Sequence, residues 1–89
     1  MITGVAIKDT TGKVWSLPQP YRHGHIFPMV SSKIGKENMR KVVRIGEQGF
    51  ITDEGKFLNR FDALIEAEKC NQLIRKTQPL NELFSEDLW

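Results

Sequence analysis

The chain has 89 residues and a formal net charge of +2, with 39% hydrophobic and 27% charged side chains. This length predicts one domain over residues 1–89 with a thin core. A deep closed pocket is hard to fit into such a core, and oligomerisation would stabilise it. The single cysteine excludes an intrachain disulfide, and no apolar run has the length of a signal peptide or a membrane span. We therefore expect a cytoplasmic protein that does not bind membranes.

The first predicted element is a β-hairpin. Apolar residues at 2–7 and 14–17 flank the turn sequence DTTG at 9–12, and turn residues between two β-prone runs are typical of hairpins. Pro18 and Pro20 are expected to end the second strand, because proline has no N–H to donate to a ladder.

The middle of the chain gives weaker signals. Residues 22–34 predict a short or kinked helix, since positions 26, 29 and 30 are apolar at helical spacing while Gly24 and Pro28 interrupt the pattern. The run KVVRIG at 41–46 then predicts a strand.

The second half predicts another hairpin followed by the clearest helix. The sequence QGFITDEGKFLN at 48–59 contains a glycine at the turn, and residues 59–76 have an apolar helical face with Asn59 as a good N-cap. Pro79 marks the end of that helix, and the apolar residues of 80–89 are expected to dock. The fold class predicted is α+β: a small antiparallel β-sheet of hairpins followed by a helix and a docked C-terminal helical segment.

Both histidines lie in the run Arg22-His23-Gly24-His25. Its first three residues match a tripeptide of the histidine phosphatases, but that fold needs a much larger sheet and a distant second histidine. A metal site needs three or four ligands, and no spacing supplies them to the two histidines, so we expect no metal and no cofactor. The readings left open are polar loop residues or contacts to phosphate.

Residues 33–44 contain five lysines and arginines and one acid. Such a cluster attracts phosphates, although a solvated basic face is the simpler reading. No zinc knuckle, helix-turn-helix turn or RNA-reading aromatic motif accompanies the cluster, so we do not expect DNA or RNA polymers as partners.

Two further residues have both a structural and a ligand-binding reading. Phe50 is either a core residue or a ring that stacks on a base, and Asn59 is an N-cap whose amide is also able to bond a base or ribose. Cys70 is expected to be a buried, inert thiol on the helix face. Nothing in the sequence argues for covalent catalysis, so we expect no enzyme.

Three phrases in this order carry a family resemblance: GVAIKDTTGKVWSLPQPYRH, QGFITDEGKFLNRFDAL and the terminal LFSEDLW. Together they resemble the small phage and prophage proteins that include the first-type Thoeris anti-defence proteins. That resemblance implies a sponge, which binds cyclic nucleotide second messengers of bacterial immunity without cleaving them. The implied ligands are glycocyclic ADP-ribose isomers and, at a separate site, cyclic oligonucleotides of CBASS systems. It also implies an α+β fold and a homodimer or homohexamer.

The resemblance further implies which residues bind these ligands. Phe50 is expected to stack on adenine and Asn59 to bond the ligand, with Arg60 beside it. The basic pair Arg75 and Lys76 falls in the region expected to hold phosphates. The second ligand site is expected to include three residues of the histidine run: Arg22, His23 and His25.

Two other functions stay open from the residues themselves. The chain is alternatively a phage inhibitor that binds a host protein, with Phe84 and Trp89 as exposed interface anchors. A third reading is a small phosphodiesterase that uses His23 and His25.

Overall fold

The sheet has four antiparallel strands, which we describe from a computed structural model covering residues 1–89. The strands are β1 (Ile2–Lys8), β2 (Val14–Pro18), β3 (Glu47–Thr52) and β4 (Phe57–Asn59). Their spatial order is β2-β1-β3-β4. Both predicted hairpins are confirmed, and the pairing of β1 with β3 joins them into one sheet.

The turn between β1 and β2 is organised by one carboxylate. Asp9 accepts hydrogen bonds from the N–H groups of Thr11 at 2.8 Å and Lys13 at 3.0 Å, and from the indole Nε1 of Trp15 at 3.0 Å. Gly12 completes the turn with a φ of 93°, a conformation that favours glycine. The turn sequence therefore fixes the hairpin through its own side chains.

The two faces of the sheet differ in residue size. The strand register places one apolar row across all four strands, formed by Leu17, Val5, Phe50 and Leu58. The neighbouring row on the other face consists of small or polar residues: Ser16, Ala6, Gly49 and Asn59. Because side chains alternate across a strand, only the first face has the apolar area needed for a core.

The helices lie along the chain as α1 (His23–Ile34), α2 (Lys36–Asn38), a π-helical turn (Met39–Val43) and α3 (Arg60–Lys69), with a 3-10 turn at Ser85–Asp87. One buried cluster joins the sheet residues Val5 and Phe50 to Ile26 of α1, Leu64 of α3 and Leu83 near the C-terminus. The helices therefore share a single core with the apolar face of the sheet, and the predicted α+β fold class is confirmed. None of the helices combines the length and apolar character that crossing a bilayer requires.

The prediction of a strand at 41–46 was wrong. Residues 39–43 form the π-helical turn, and the N–H of Arg44 donates to the Met39 carbonyl at 3.0 Å. Met39 and Val43 are buried four residues apart, a spacing that suits a helical segment lying on the core. The strand begins only at Glu47.

The predicted helix over 59–76 ends early, at Lys69. Cys70 is the half-buried C-cap, and Asn71 has a φ of 55° that ends the helical path. The Gln72 amide then bonds the backbone of Ile2, accepting its N–H at 2.8 Å and donating to its carbonyl at 2.9 Å. This distant contact redirects the chain, so Ile74 lies 58% exposed instead of on a buried helix face.

The C-terminal segment docks as predicted, although not every apolar residue is covered. Leu83 and Leu88 belong to the core, whereas Leu80 is 61% exposed. The whole chain has an accessible surface of 5309 Å², which matches the roughly 5300 Å² that a folded monomer of this mass has. One copy is thus as compact as an ordinary monomeric protein.

We expect Gly49→Ala to destabilise the fold. An added Cβ would lie 2.6 Å from Phe57 Cζ and closer still to the Leu58 carbonyl oxygen, and such overpacking costs about 1–3 kcal/mol. Gly24→Ala in α1 is the control, since nothing lies within 4 Å of its Cβ position. Urea unfolding followed by circular dichroism measures both, and equal stability of the two variants would contradict the packing described.

Candidate functional site

Arg22 holds the C-terminal segment, residues 83–89, against the start of α1. Its guanidinium donates to Ser85 Oγ at 3.1 Å and to the Trp89 carbonyl oxygen at 2.6 Å, and Glu86 lies 4.0 Å away. The Trp89 indole in turn donates to the Tyr21 carbonyl at 3.1 Å. Arg22, expected at a second ligand site, is therefore engaged within the fold.

Arg60 has the same role at the start of α3. Its guanidinium donates to the Leu83 carbonyl at 2.6 Å and to Gln48 Oε1 at 2.5 Å. It also lies over the Phe84 ring, 4.5 Å from the centroid. Burial lowers the pKa of Arg60, and the surrounding acids oppose that shift, so the side chain is a cation committed to the C-terminal segment.

Lys76 and Asp87 form the one buried ion pair, 3.1 Å apart. The Asp87 carboxylate is fully buried and also accepts from the N–H groups of Thr77 at 2.7 Å and Phe84 at 2.9 Å. Burial alone would raise the pKa of Asp87, but these hydrogen bonds outweigh it and lower that pKa. Arg75 lies exposed beside this pair and donates to the Glu86 carbonyl.

His23 is buried, and its Nε2 lies 2.7 Å from the Gly49 carbonyl oxygen. Burial and, to a smaller extent, the nearby charge of Arg60 lower the pKa of His23 to about 4, whereas the hydrogen bond to Gly49 opposes the shift. The ring is therefore neutral at physiological pH and donates from Nε2. It meets the Phe50 ring edge-on, with centroids 5.2 Å apart.

Phe50, expected to stack on adenine, is fully buried at 0% exposure. Its ring belongs to the core cluster, so this conformation presents no ring face to a ligand. Of the two alternatives that the sequence left open for Phe50, the structure shows the core residue.

His25 and Tyr21 lie exposed at the start of α1, with ring centroids 5.4 Å apart. The Arg22 N–H donates to His25 Nδ1 at 2.9 Å, so the neutral ring carries its proton on Nε2. The two histidines thus differ in environment: the His23 ring is packed inside, and the His25 ring offers an N–H to solvent.

Asn59 is the N-cap of α3, as predicted. Its Oδ1 accepts from the N–H groups of Phe61 at 3.1 Å and Asp62 at 2.8 Å. Cap residues use only their oxygen, so the Asn59 amide N–H₂ group stays available. The next side chain on the helix surface, Phe61, is 50% exposed.

The structure thus gathers four of the eight predicted ligand residues around the C-terminal segment, where Arg22, Arg60, Arg75 and Lys76 bind protein atoms. Sequence reasoning missed Ser85 and Asp87 as their partners, and the only available signal was polar residues between apolar ones in LFSEDLW. Phe84 and Trp89, considered as exposed anchors, are half-buried. The surface of one copy has no pocket, and no group of three or more metal-binding side chains converges.

Comparison with known proteins identifies a family for this chain. The family model described as phage T4 y16D protein matches residues 1–89. The chain belongs to this phage protein family. The y16D match confirms the expectation of a phage protein and says nothing of Thoeris, so the sponge stays a prediction. No curated protein and no solved structure matches the chain.

We expect this y16D family member to lose stability on acidification through His23. Below pH 6.5 the unfolded chain protonates this ring, whereas the folded protein resists until about pH 4. Because the unfolded state binds more protons in that window, the free energy of unfolding falls by about 3 kcal/mol from pH 6.5 to 4.

His23→Gln keeps a donor for Gly49 and removes this pH dependence, while the control His25→Gln retains it. Urea unfolding at several pH values measures the slope. A His23→Gln protein that loses stability as steeply as the wild type would contradict the assignment.

Proposed function

We propose that this phage protein is an anti-defence sponge that sequesters cyclic nucleotide immune signals in the host cytosol without cleaving them. The proposed ligands are glycocyclic ADP-ribose and, at a second site, cyclic oligonucleotides. Two things support this: membership of a phage family and the resemblance of three ordered sequence phrases to the Thoeris anti-defence proteins.

The observation that carries the proposal is that neither histidine is arranged as a base: one ring is buried, and the accepting nitrogen of the other is bonded to the backbone. His23 is buried, neutral and bonded to Gly49, and His25 Nδ1 accepts a backbone N–H. A phosphodiesterase needs a base able to take a proton from water or from a nucleophile. A sponge needs only donors, cations and surfaces to bind its ligand, and His25 Nε2–H is such a donor.

The proposed ligand site is formed between copies of the chain. Tight binding of a small ligand needs near-complete burial, and the surface of one copy offers no pocket. A homodimer or homohexamer would supply the missing wall. On each copy we place one ligand contact at the start of α3, where Asn59 has its free amide and Phe61 has an exposed ring face.

The second site is proposed at the start of α1. Tyr21 is 47% exposed and lies against His25, whose Nε2–H is a donor for an anion. Arg22, although bound to the C-terminal segment, retains 37% exposure of its side chain, so its charge still acts on a phosphate placed there.

The decisive experiment incubates the protein with a panel of cyclic nucleotide signals and identifies the small molecules released by heat using mass spectrometry. A sponge releases the intact ligand, whereas an enzyme releases product. Recovery of hydrolysed nucleotide, or of nothing from the whole panel, would overturn the proposal.

Phe61→Ala tests the contact at α3. Stacking of a base on an aromatic ring is worth about 1–3 kcal/mol, so we expect the Kd for glycocyclic ADP-ribose to rise about 5- to 150-fold. The control Ile65→Ala removes the other exposed apolar side chain of the same helix, 65% exposed, and should leave the Kd unchanged. Calorimetric titration gives both values.

A host-protein inhibitor is the second candidate, favoured by one observation. Phe61 and Ile65 lie one turn apart on α3 and are both at least half exposed, which suits a helix face that contacts a partner. Under this reading, Phe61→Ala and Ile65→Ala both abolish the capture of one stoichiometric host protein, and no small molecule is retained.

A further inference from the structure

One helical stretch carries an exposed basic surface, which we define as Lys33, Lys36, Arg40, Lys41 and Arg44. All five side chains belong to exposed residues. Residues 33–44 hold these five cations and one acid, Glu37, whereas the rest of the chain holds eight cations and ten acids. A protein of net charge +2 thus consists of a +4 segment and a remainder of −2.

The cations of the basic surface differ from most others in being uncommitted. Arg22, Arg60 and Lys76 bind the C-terminal segment. Lys8 and Lys13 lie over the aromatic rings of Phe57 and Trp15, 4.9 and 4.1 Å from their centroids.

Within the basic surface the only ion pair is Lys41 with Glu37, at 3.7 Å. Both side chains of this pair are largely in solvent, 67% and 86% exposed, where such pairs contribute little. The surface therefore keeps nearly its full positive charge for a partner.

The backbone holds these cations in a fixed arrangement. Met39 and Val43 fix the segment to the core, and the Thr10 N–H donates to the Val42 carbonyl at 3.0 Å. Gly35, with a φ of 90°, sets the angle between α1 and α2. The cations are thus displayed by an ordered backbone, which does not have to lose flexibility when they bind.

The spacing of the cations works against the stability of the helix. Lys36, Arg40 and Arg44 follow one another at i, i+4 intervals, where like charges repel and destabilise a helix. The place of Arg40 and Arg44 at the C-terminal end of the π-helical turn, where the helix dipole favours cations, offsets part of this repulsion. An anion bound across this row would relieve the remaining repulsion, so binding of phosphate there is favoured over binding elsewhere on the chain.

We propose that the basic surface binds the phosphate groups of the sequestered nucleotide, an inference that rests on the proposed function. Arg40 and Arg44 are suited to bidentate bonds with phosphate oxygens, and the three lysines add point charges. The structure thereby assigns the phosphate contacts to these residues instead of to Lys76 and Arg75, which already bind the C-terminal segment.

A small ligand fits this surface better than a nucleic-acid polymer. A duplex carries far more negative charge than the +4 segment neutralises, and the rest of the chain is net negative. The exposed residues of the surface include no aromatic ring to stack on bases. The two or three phosphate charges of a compact ligand need no positive charge beyond the basic surface.

The test compares two double variants with the same change of charge. Arg40→Ala with Arg44→Ala removes two cations of the basic surface, and Lys56→Ala with Lys69→Ala removes two exposed cations elsewhere. Each protein is titrated calorimetrically with inorganic tripolyphosphate, with glycocyclic ADP-ribose and with a short DNA duplex, at low and high salt.

We expect the first double variant to bind tripolyphosphate and glycocyclic ADP-ribose at least about tenfold more weakly, as loss of charge-assisted bonds implies. The Lys56/Lys69 variant should bind both as the wild type does, and binding should weaken with salt. Equal losses in both variants, or no binding of tripolyphosphate to the wild type, would overturn the assignment.

The remaining outcomes separate this inference from the proposed function. If the nucleotide binds the Arg40/Arg44 variant normally, sequestration stands and the basic surface is not its phosphate site. If tripolyphosphate binds through the basic surface but no cyclic nucleotide binds, the phosphate site stands and the sponge fails. Tighter binding of the DNA duplex, lost in the Arg40/Arg44 variant with a steep salt dependence, identifies a polymer site and overturns the small-ligand assignment.

Discussion

The fold depends on the polar contacts that hold the C-terminal segment against the starts of α1 and α3. The buried Asp87 carboxylate is stable only because Lys76 and two backbone N–H groups satisfy it. Removing one partner of a buried ion pair typically costs about 3–5 kcal/mol. Leu83 and Leu88 complete the core only while this segment is docked, so the polar contacts and the apolar packing stabilise each other.

This arrangement distinguishes two groups among the cations of the chain. Arg22, Arg60 and Lys76 bind carbonyl and carboxylate oxygens of the C-terminal segment. The cations of the basic surface form only one ion pair within the chain, between Lys41 and Glu37. A search for ligand contacts that counts charges along the sequence does not distinguish the groups, because a buried, bonded arginine and a free one have the same letter.

The face of the sheet opposite the core, with Ala6 and Gly49, is covered without a layer of helices. Gly49 allows the Phe57 ring to lie directly across the strand, and Lys8 covers that ring from outside. Ala6 is fully buried, yet it lies outside the main core cluster. This face therefore has small residues beneath one aromatic side chain and no second layer of helices, and the chain needs only a single core.

The sequence by itself determined the local elements: both hairpins, the helix beginning near Arg22 and the N-cap at Asn59. Each rests on bonds between residues a few positions apart, such as Asn59 to Asp62, and short-range chemistry is visible in the sequence. Contacts between residues far apart in the sequence were decided only by the tertiary structure. Gln72 redirects the chain after α3 by bonding Ile2, seventy residues away, and the docked C-terminal segment gives Arg22, Arg60 and Lys76 bonding partners within the fold. Burial of Phe50 likewise follows from the pairing of β3 with β1. The sequence pattern of either strand alone does not predict that pairing.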